Sequence, residues 1–267
     1  MTGLIRLILG TAALALSSAS TAFQSQEEAF AALELSHRSI IAEPNNATYY
    51  LQRGDLYYLL NDLTHAVADY SAAIRLDEHQ DKAYFGRGLA LGRMGLIDQG
   101  IADLGVYIAR HPKDSIAYTK RGVRNIWRGN WPDAERDLQR AITLDPNNAE
   151  AHDDLGVVYA QQQNLRSAAQ HFSTAIKLDP SYQKAYHNLA ICFHLGGRHA
   201  AALEIVDAGL TLDQDNRSAL LLKAAILQAL GRGAEAQQIT RHAEFLPEDN
   251  WSERAAIGSP TNKETQK

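Results

Sequence analysis

The sequence predicts an all-α fold, a solenoid of stacked helix–turn–helix hairpins, on three observations. First, a small residue returns every 34 positions, at Gly54, Gly88, Gly122, Gly156, Ala190 and Ala224, without an insertion. Self-similarity at such a period marks an array in which each repeat is one supersecondary unit. Second, other positions keep the same register. Tyr50, Tyr84, Tyr118, His152, Tyr186 and Leu220 stand four residues before the small residue, and Ala66, Gly100, Ala134, Ala168, Ala202 and Ala236 twelve after it. Tyr70, Leu104, Leu138, Phe172, Val206 and Thr240 follow at sixteen, then Ala73, Tyr107, Ala141, Ala175, Gly209 and Ala243 at nineteen. Offsets of three and four put each set on one helical face, so each repeat reads as two amphipathic helices. Third, the breakers keep the period. Pro44, Pro112, Pro146 and Pro180 separate hairpins, with asparagines nearby to cap the next helix. Gly95, Gly129, Gly197 and Gly231, with Asn61 in their place in the first repeat, supply the left-handed residue inside each hairpin.

In chain order, Arg6 precedes an apolar run from Leu7 to Leu16 and a small-residue stretch ending Ser20-Thr21-Ala22, the order of a secretory signal peptide over residues 1–22. The run is about half of the roughly 20 residues that a membrane span needs. Residues 23–44 read as an N-terminal capping helix, with Ala32 at the small-residue phase and Pro44 at its stop. Six repeats follow over 45–250, bounded as 47–80, 81–114, 115–148, 149–182, 183–216 and 217–250. Residues 251–267 read as a short cap that packs Trp251 on repeat six, then a polar disordered tail. A lone hairpin buries too little to fold, so the repeats must share interfaces in one solenoid, with end helices shielding the terminal faces. Repeat two departs from the pattern: Gly86, Gly92, Gly100 and Gly105 occupy helix interiors and Tyr107 replaces an alanine. Either Tyr107 fills the space that the glycines leave, or the repeat is a soft joint.

These small, aromatic and alanine positions resemble the tetratricopeptide repeat family over residues 47–250. The resemblance implies a right-handed superhelix whose first helices line a concave groove, and a function in holding partners. Carried over, the groove comprises Leu51, Tyr58, Phe85, Lys120, Val123, Trp127, Asp153, Val157, His187 and Asn188. Aromatic anchors flanked by charges of both signs suit a protein or an extended peptide. The lysine and asparagine pair with which some members clamp a C-terminal carboxylate is missing: the corresponding positions hold Leu51 and Asp55, Phe85 and Leu89, or Thr119 and Val123.

Composition narrows the partner. The net charge is −5, and loss of Arg6 with residues 1–22 makes it −6, which argues against nucleic acid or an anionic membrane. Cys192 is the single cysteine, beside a small-residue position, and reads as a buried hydrophobe. No zinc-protease helix motif, phosphate-binding loop or nucleophile elbow occurs, so neither catalysis nor a cofactor is expected. The strongest chemical alternative is a metal site at His187, His194 and Asp153, two histidines seven apart and a carboxylate on the adjacent first helix. Arg121, Arg124 and Arg128, around Trp127 and Trp131, read as a solvated face. The expectation is an exported, periplasmic or secreted, noncatalytic adaptor. The alternatives are a metal- or small-ligand-binding protein and a noncatalytic subunit of an envelope enzyme.

Overall fold

A computed structural model describes residues 26–246 of the chain. The expected signal peptide, the cap around Trp251 and the C-terminal tail lie outside those residues. The described residues form thirteen helices and no strand. Helix α1 spans Gln26–Ala42, and hairpins follow as α2 Ala47–Leu59 with α3 Leu63–Leu76, and α4 Asp81–Arg93 with α5 Ile97–Arg110. Next come α6 Ser115–Arg128 with α7 Trp131–Leu144, and α8 Ala149–Gln161 with α9 Leu165–Leu178. The last pairs are α10 Gln183–Leu195 with α11 His199–Leu210, and α12 Arg217–Ala229 with α13 Gly233–Ala243. The fold is an all-α solenoid of helical hairpins. It divides into two compact units, with the boundary between Lys113 and Asp114.

The helix ends follow from the residues that stand there. Asn46, Asp62, Asp114, Asn130, Asn148, Asn164 and Asn216 each accept a backbone N–H from the first turn of the helix they precede. The capping role of Asn46 and Asn216 occupies two of the three asparagines that stand in glycosylation triplets, and Asn216 is buried. Inside the hairpins Gly95, Gly129, Gly197 and Gly231 have φ between +73° and +81°, and Asn61 shares that conformation at +60°. The fourth repeat uses Gln163 there, with φ +63°. Nothing in its residue type announces that choice, because only the repeat register identifies the turn.

In the first unit α1 packs on α2 through Leu33, Ser36 and Ile40, while Ala32 is only half-buried. The core there runs through Leu51, Tyr58, Ala66, Tyr70, Ala73, Ala83, Leu89 and Leu104. In the second unit the main core joins Ile126, Leu138, Leu155, Val157, Val158, Phe172 and Leu189. Within each unit each second helix packs on the first helix that follows, and first helices of successive hairpins also touch: α2 with α4, then α6 with α8, α8 with α10 and α10 with α12. The first helices therefore line one side of each unit, its inner face.

Gly86, Gly92 and Gly100 of repeat two are packing residues. A Cβ at Gly86 would lie 2.5 Å from Tyr70 Cζ, and one at Gly100 would lie 2.8 Å from the carbonyl oxygen of Gly88. Tyr107 does not fill their space: its ring lies against Phe85, with centroids 5.0 Å apart. Since α4 and α5 meet backbone to backbone at Gly88, Gly92 and Gly100, Gly100→Ala must spread them. The clash outweighs the roughly 1 kcal/mol that alanine gains in a helix, and we predict a net loss of about 1–2 kcal/mol, read by urea unfolding. A gain in stability would show that the contact is loose.

Candidate functional site

The inner face differs between the units. In the first, Leu51, Tyr58 and Leu89 are buried, and Phe85 is half-buried against Tyr107. The Arg93 guanidinium lies 5.1 Å from the Tyr58 ring centroid and donates to Asn61 Oδ1 at 2.9 Å. Asp55 accepts the Tyr70 hydroxyl at 2.8 Å, and enclosure among α2 and α3 side chains pushes its carboxyl up to about 7.

In the second unit the inner face is a charge network. Lys120 Nζ bonds both Glu150 oxygens, at 2.8 and 2.9 Å. Deeper down, Lys184, 1% exposed, sits 3.1 Å from Asp153 Oδ2 and 3.1 Å from Asp154 Oδ1. Asn188 Nδ2 donates to both Asp153 oxygens, at 3.0 and 3.2 Å. Burial raises the Asp154 carboxyl to about 7 against the pull of Lys184, and the two carboxylates hold the Lys184 ammonium above its ordinary range. Three carboxylates and two ammonium groups here come close to neutral.

This placement narrows the expected groove. Val123, Val157, Asp153 and Asn188 are 0–1% exposed and support the face from beneath. Leu51 and Tyr58 present little more, at 7% each. Phe85, Lys120, Trp127 and His187 keep exposed surface. The sequence register fixes on which side of a helix a residue stands and leaves its depth open. The metal grouping is not assembled. Asp153 is engaged by Lys184 and Asn188, His194 Nδ1 instead faces His199 Nδ1 at 3.1 Å, and among the described residues no three His, Cys, Asp or Glu side chains are grouped to hold an ion.

Of the arginines around Trp127, Arg128 is exposed as expected, and the other two are placed differently. Arg124 is 2% exposed, with its guanidinium 4.8 Å from the Trp127 ring centroid, and Arg121 is clamped to Asp137 at 2.6 and 2.8 Å. That clamp is periodic. Arg53 grips Asp69 at 2.6 and 2.7 Å, and Arg87 grips Asp103 at 2.7 and 2.8 Å. Each of these guanidiniums also lies over the ring that precedes it, Tyr50, Tyr84 or Tyr118, at 5.7–5.8 Å. The signal stood in the sequence, as arginine just before the ruler glycine and aspartate fifteen after it, in three repeats. In the fourth repeat the same stations carry His152, Leu155 and His171. The two imidazoles meet at Nδ1, 3.1 Å apart, and His152 Nε2 stands 3.3 Å from the Pro146 carbonyl. Burial and the neighbouring His152 push His171 down to about 4.

A TPR repeat model matches residues 54–95, and a tetratricopeptide repeat model matches residues 128–182 and 154–217. The chain belongs to the tetratricopeptide repeat family. No curated protein matches its sequence. Among solved structures it is similar to a tetratricopeptide repeat protein from Parabacteroides merdae, with TM-score 0.70 and 16% identity over 92% of this chain and 94% of that one. It is also similar to YrrB, described as a TPR protein with an unusual peptide-binding site, with TM-score 0.54 and 23% identity over 70% of this chain and 97% of that one. A chain of the APC/C hetero-tetramer Cut9–Hcn1 gives TM-score 0.66 and 19% identity over 79% of this chain, which spans 45% of that one. At these identities the likeness shows the fold.

The His171 environment yields a prediction. Its folded value, about 4, lies below the ordinary 6.5, so its contribution is full above about 6.5 and is lost as pH falls towards 4. Asp154 acts in the opposite sense, its contribution being lost as pH rises through about 7. Comparison of the wild type with His171→Gln cancels the Asp154 effect. The melting temperature followed by tryptophan fluorescence, whose sources Trp127, Trp131 and Trp251 all lie after Lys113, should drop between pH 7 and 5 by on the order of a few degrees more in the wild type. Equal slopes would contradict the assigned environment.

Proposed function

We propose that this protein is a noncatalytic interaction scaffold of the cell envelope, holding a partner protein or an extended peptide on its inner face. The observation that carries the reading is Trp127. On the inner face of the second unit it keeps exposed surface while Arg124 backs its ring. A half-buried indole with a fixed guanidinium behind it is a preorganised anchor, the kind of group that dominates binding energy. Lys120 and Glu150 beside it supply a polar rim that is already paired, so a partner is selected by shape and apolar contact more than by net charge. In the first unit Phe85 offers a comparable ring. Family membership supports a partner-holding role, and the peptide-binding site named for YrrB supports an extended ligand. The envelope location rests on Arg6, the apolar run and the small residues ending at Ala22.

Site-specific photocrosslinking tests the reading. A benzophenone side chain replacing Trp127 is compared with one replacing Arg136, an exposed residue of α7, in the source cells. We expect one discrete adduct from position 127 and none from position 136, with the helical signal of both variants unchanged. Equal adducts from both positions, or none from 127, would overturn the inner-face assignment.

A further inference from the structure

The longest acid-poor stretch of the chain converges on one groove away from the inner face. Between Leu155 and Leu203 the sequence holds a single carboxylate, Asp179, against Arg166, Lys177, Lys184 and Arg198, in a chain whose net charge is −5. Lys184 is consumed by the buried pair, but the other three cations are exposed. Among the described residues no carboxylate pairs with any of them. All three line a groove of about 560 Å³ on the outer side of α9, closed on its far side by the end of α10 and the turn into α11. No acidic residue lines it.

We propose that this groove binds an extended acidic peptide segment of a partner, at a site separate from the inner face. The arrangement dictates the ligand. Arg166, Gln170, Thr174 and Lys177 follow one another along one side of α9, and all four line the groove. From Arg166 to Lys177 the helix advances roughly 16 Å at a rise of about 1.5 Å per residue. A Cβ built on Gly196 would lie 4.0 Å from Leu165 Cδ1, which brings the turn carrying Arg198 to the Arg166 end. The Arg198 guanidinium lies 4.2 Å from the Phe193 ring centroid, a contact that holds its plane while leaving its edge donors open. Two arginines thus face one end of the groove and a lysine the other. Between them the floor is apolar and small, with Ala169, Phe193 and the buried Cys192, whose thiol is tied to the Leu165 carbonyl oxygen at 3.1 Å. An extended chain advances about 3.3 Å per residue, so the matching ligand carries carboxylates about five residues apart, with an apolar side chain between them. The carboxylate at the arginine end can be held by fork-like guanidinium donors, and the one at the lysine end by a point charge. A peptide fits better than an anionic membrane, because the apolar floor is recessed and the cations are three and dispersed, where a bilayer requires a broad basic patch or a protruding apolar face.

The probe is the fluorescent peptide EALAAE, with its uncharged counterpart QALAAQ, titrated against the full chain at low ionic strength by anisotropy. EALAAE should bind and QALAAQ should not, and added salt should weaken binding. Arg166→Gln with Lys177→Gln, both exposed, should weaken EALAAE about tenfold with an unchanged helical signal. Trp127→Ala should leave its affinity unaltered, which keeps this site distinguishable from the inner-face reading. Equal binding of the two peptides, equal binding by the double variant, or no binding up to about 1 mM would overturn the proposal. So would binding to phosphatidylglycerol vesicles without binding to EALAAE, which would make the surface a membrane contact.

Discussion

Everything in this protein depends on how closely the two helices of a hairpin approach. At Gly54, Gly88, Gly122 and Gly156 an added Cβ would lie 2.6–2.9 Å from Tyr70, Leu104, Leu138 and Phe172, so those side chains occupy the space that a side chain would claim. The small residue and the bulky one are a single feature seen from two helices. Because the second helix lies so close, Ala66, Ala134, Ala168 and Ala202 are sealed at 0% exposure, and the next first helix can settle into the groove that remains. The 34-residue period is the sequence image of that contact.

Close approach leaves little room for water, and it decides where charge can stand. In the first three repeats the edge of the hairpin is closed by a tyrosine, an arginine and a buried aspartate locked together. Such a pair contributes little net stability over a well-packed apolar pair but is costly to break on one side. The fifth repeat shows the alternative, with Leu189 and Ile205 at the same stations. The fourth uses two imidazoles. In the second unit the inner face buries Lys184 between Asp153 and Asp154, a network that specifies how α8 and α10 meet.

The sequence carried the helices, many of their caps and five of their six turns because each rests on local chemistry that recurs along the chain. The Asn46 and Asn148 caps and the Gly129 turn needed only residue type and position. Depth was harder. Val157 and Asp153 share the phase of groove residues yet are sealed, because exposure depends on how far neighbouring first helices close over them. Arg124 read as solvated because arginine is usually exposed, and only the packed arrangement shows it lying behind Trp127. The Gln163 turn was invisible for the opposite reason, since its residue type argues against the conformation it adopts. The boundary at Lys113 and Asp114 leaves no mark on the period, which runs unbroken through it.

Function follows from what the packing leaves over. Most side chains of the first helices are spent on neighbours, so a partner meets the few that are not, and the second helices keep their outer sides free for separate contacts. The central claim is that the glycine and the ring of one hairpin form a single unit. A double-mutant cycle on Gly156→Ala and Phe172→Leu, read by urea unfolding, tests it most directly. The account predicts that Gly156→Ala destabilises the protein that keeps the native ring, and that it costs at least about 1 kcal/mol less when Phe172→Leu is already present. Additive effects, or a gain from Gly156→Ala alone of about the 1 kcal/mol that helix propensity supplies, would contradict it.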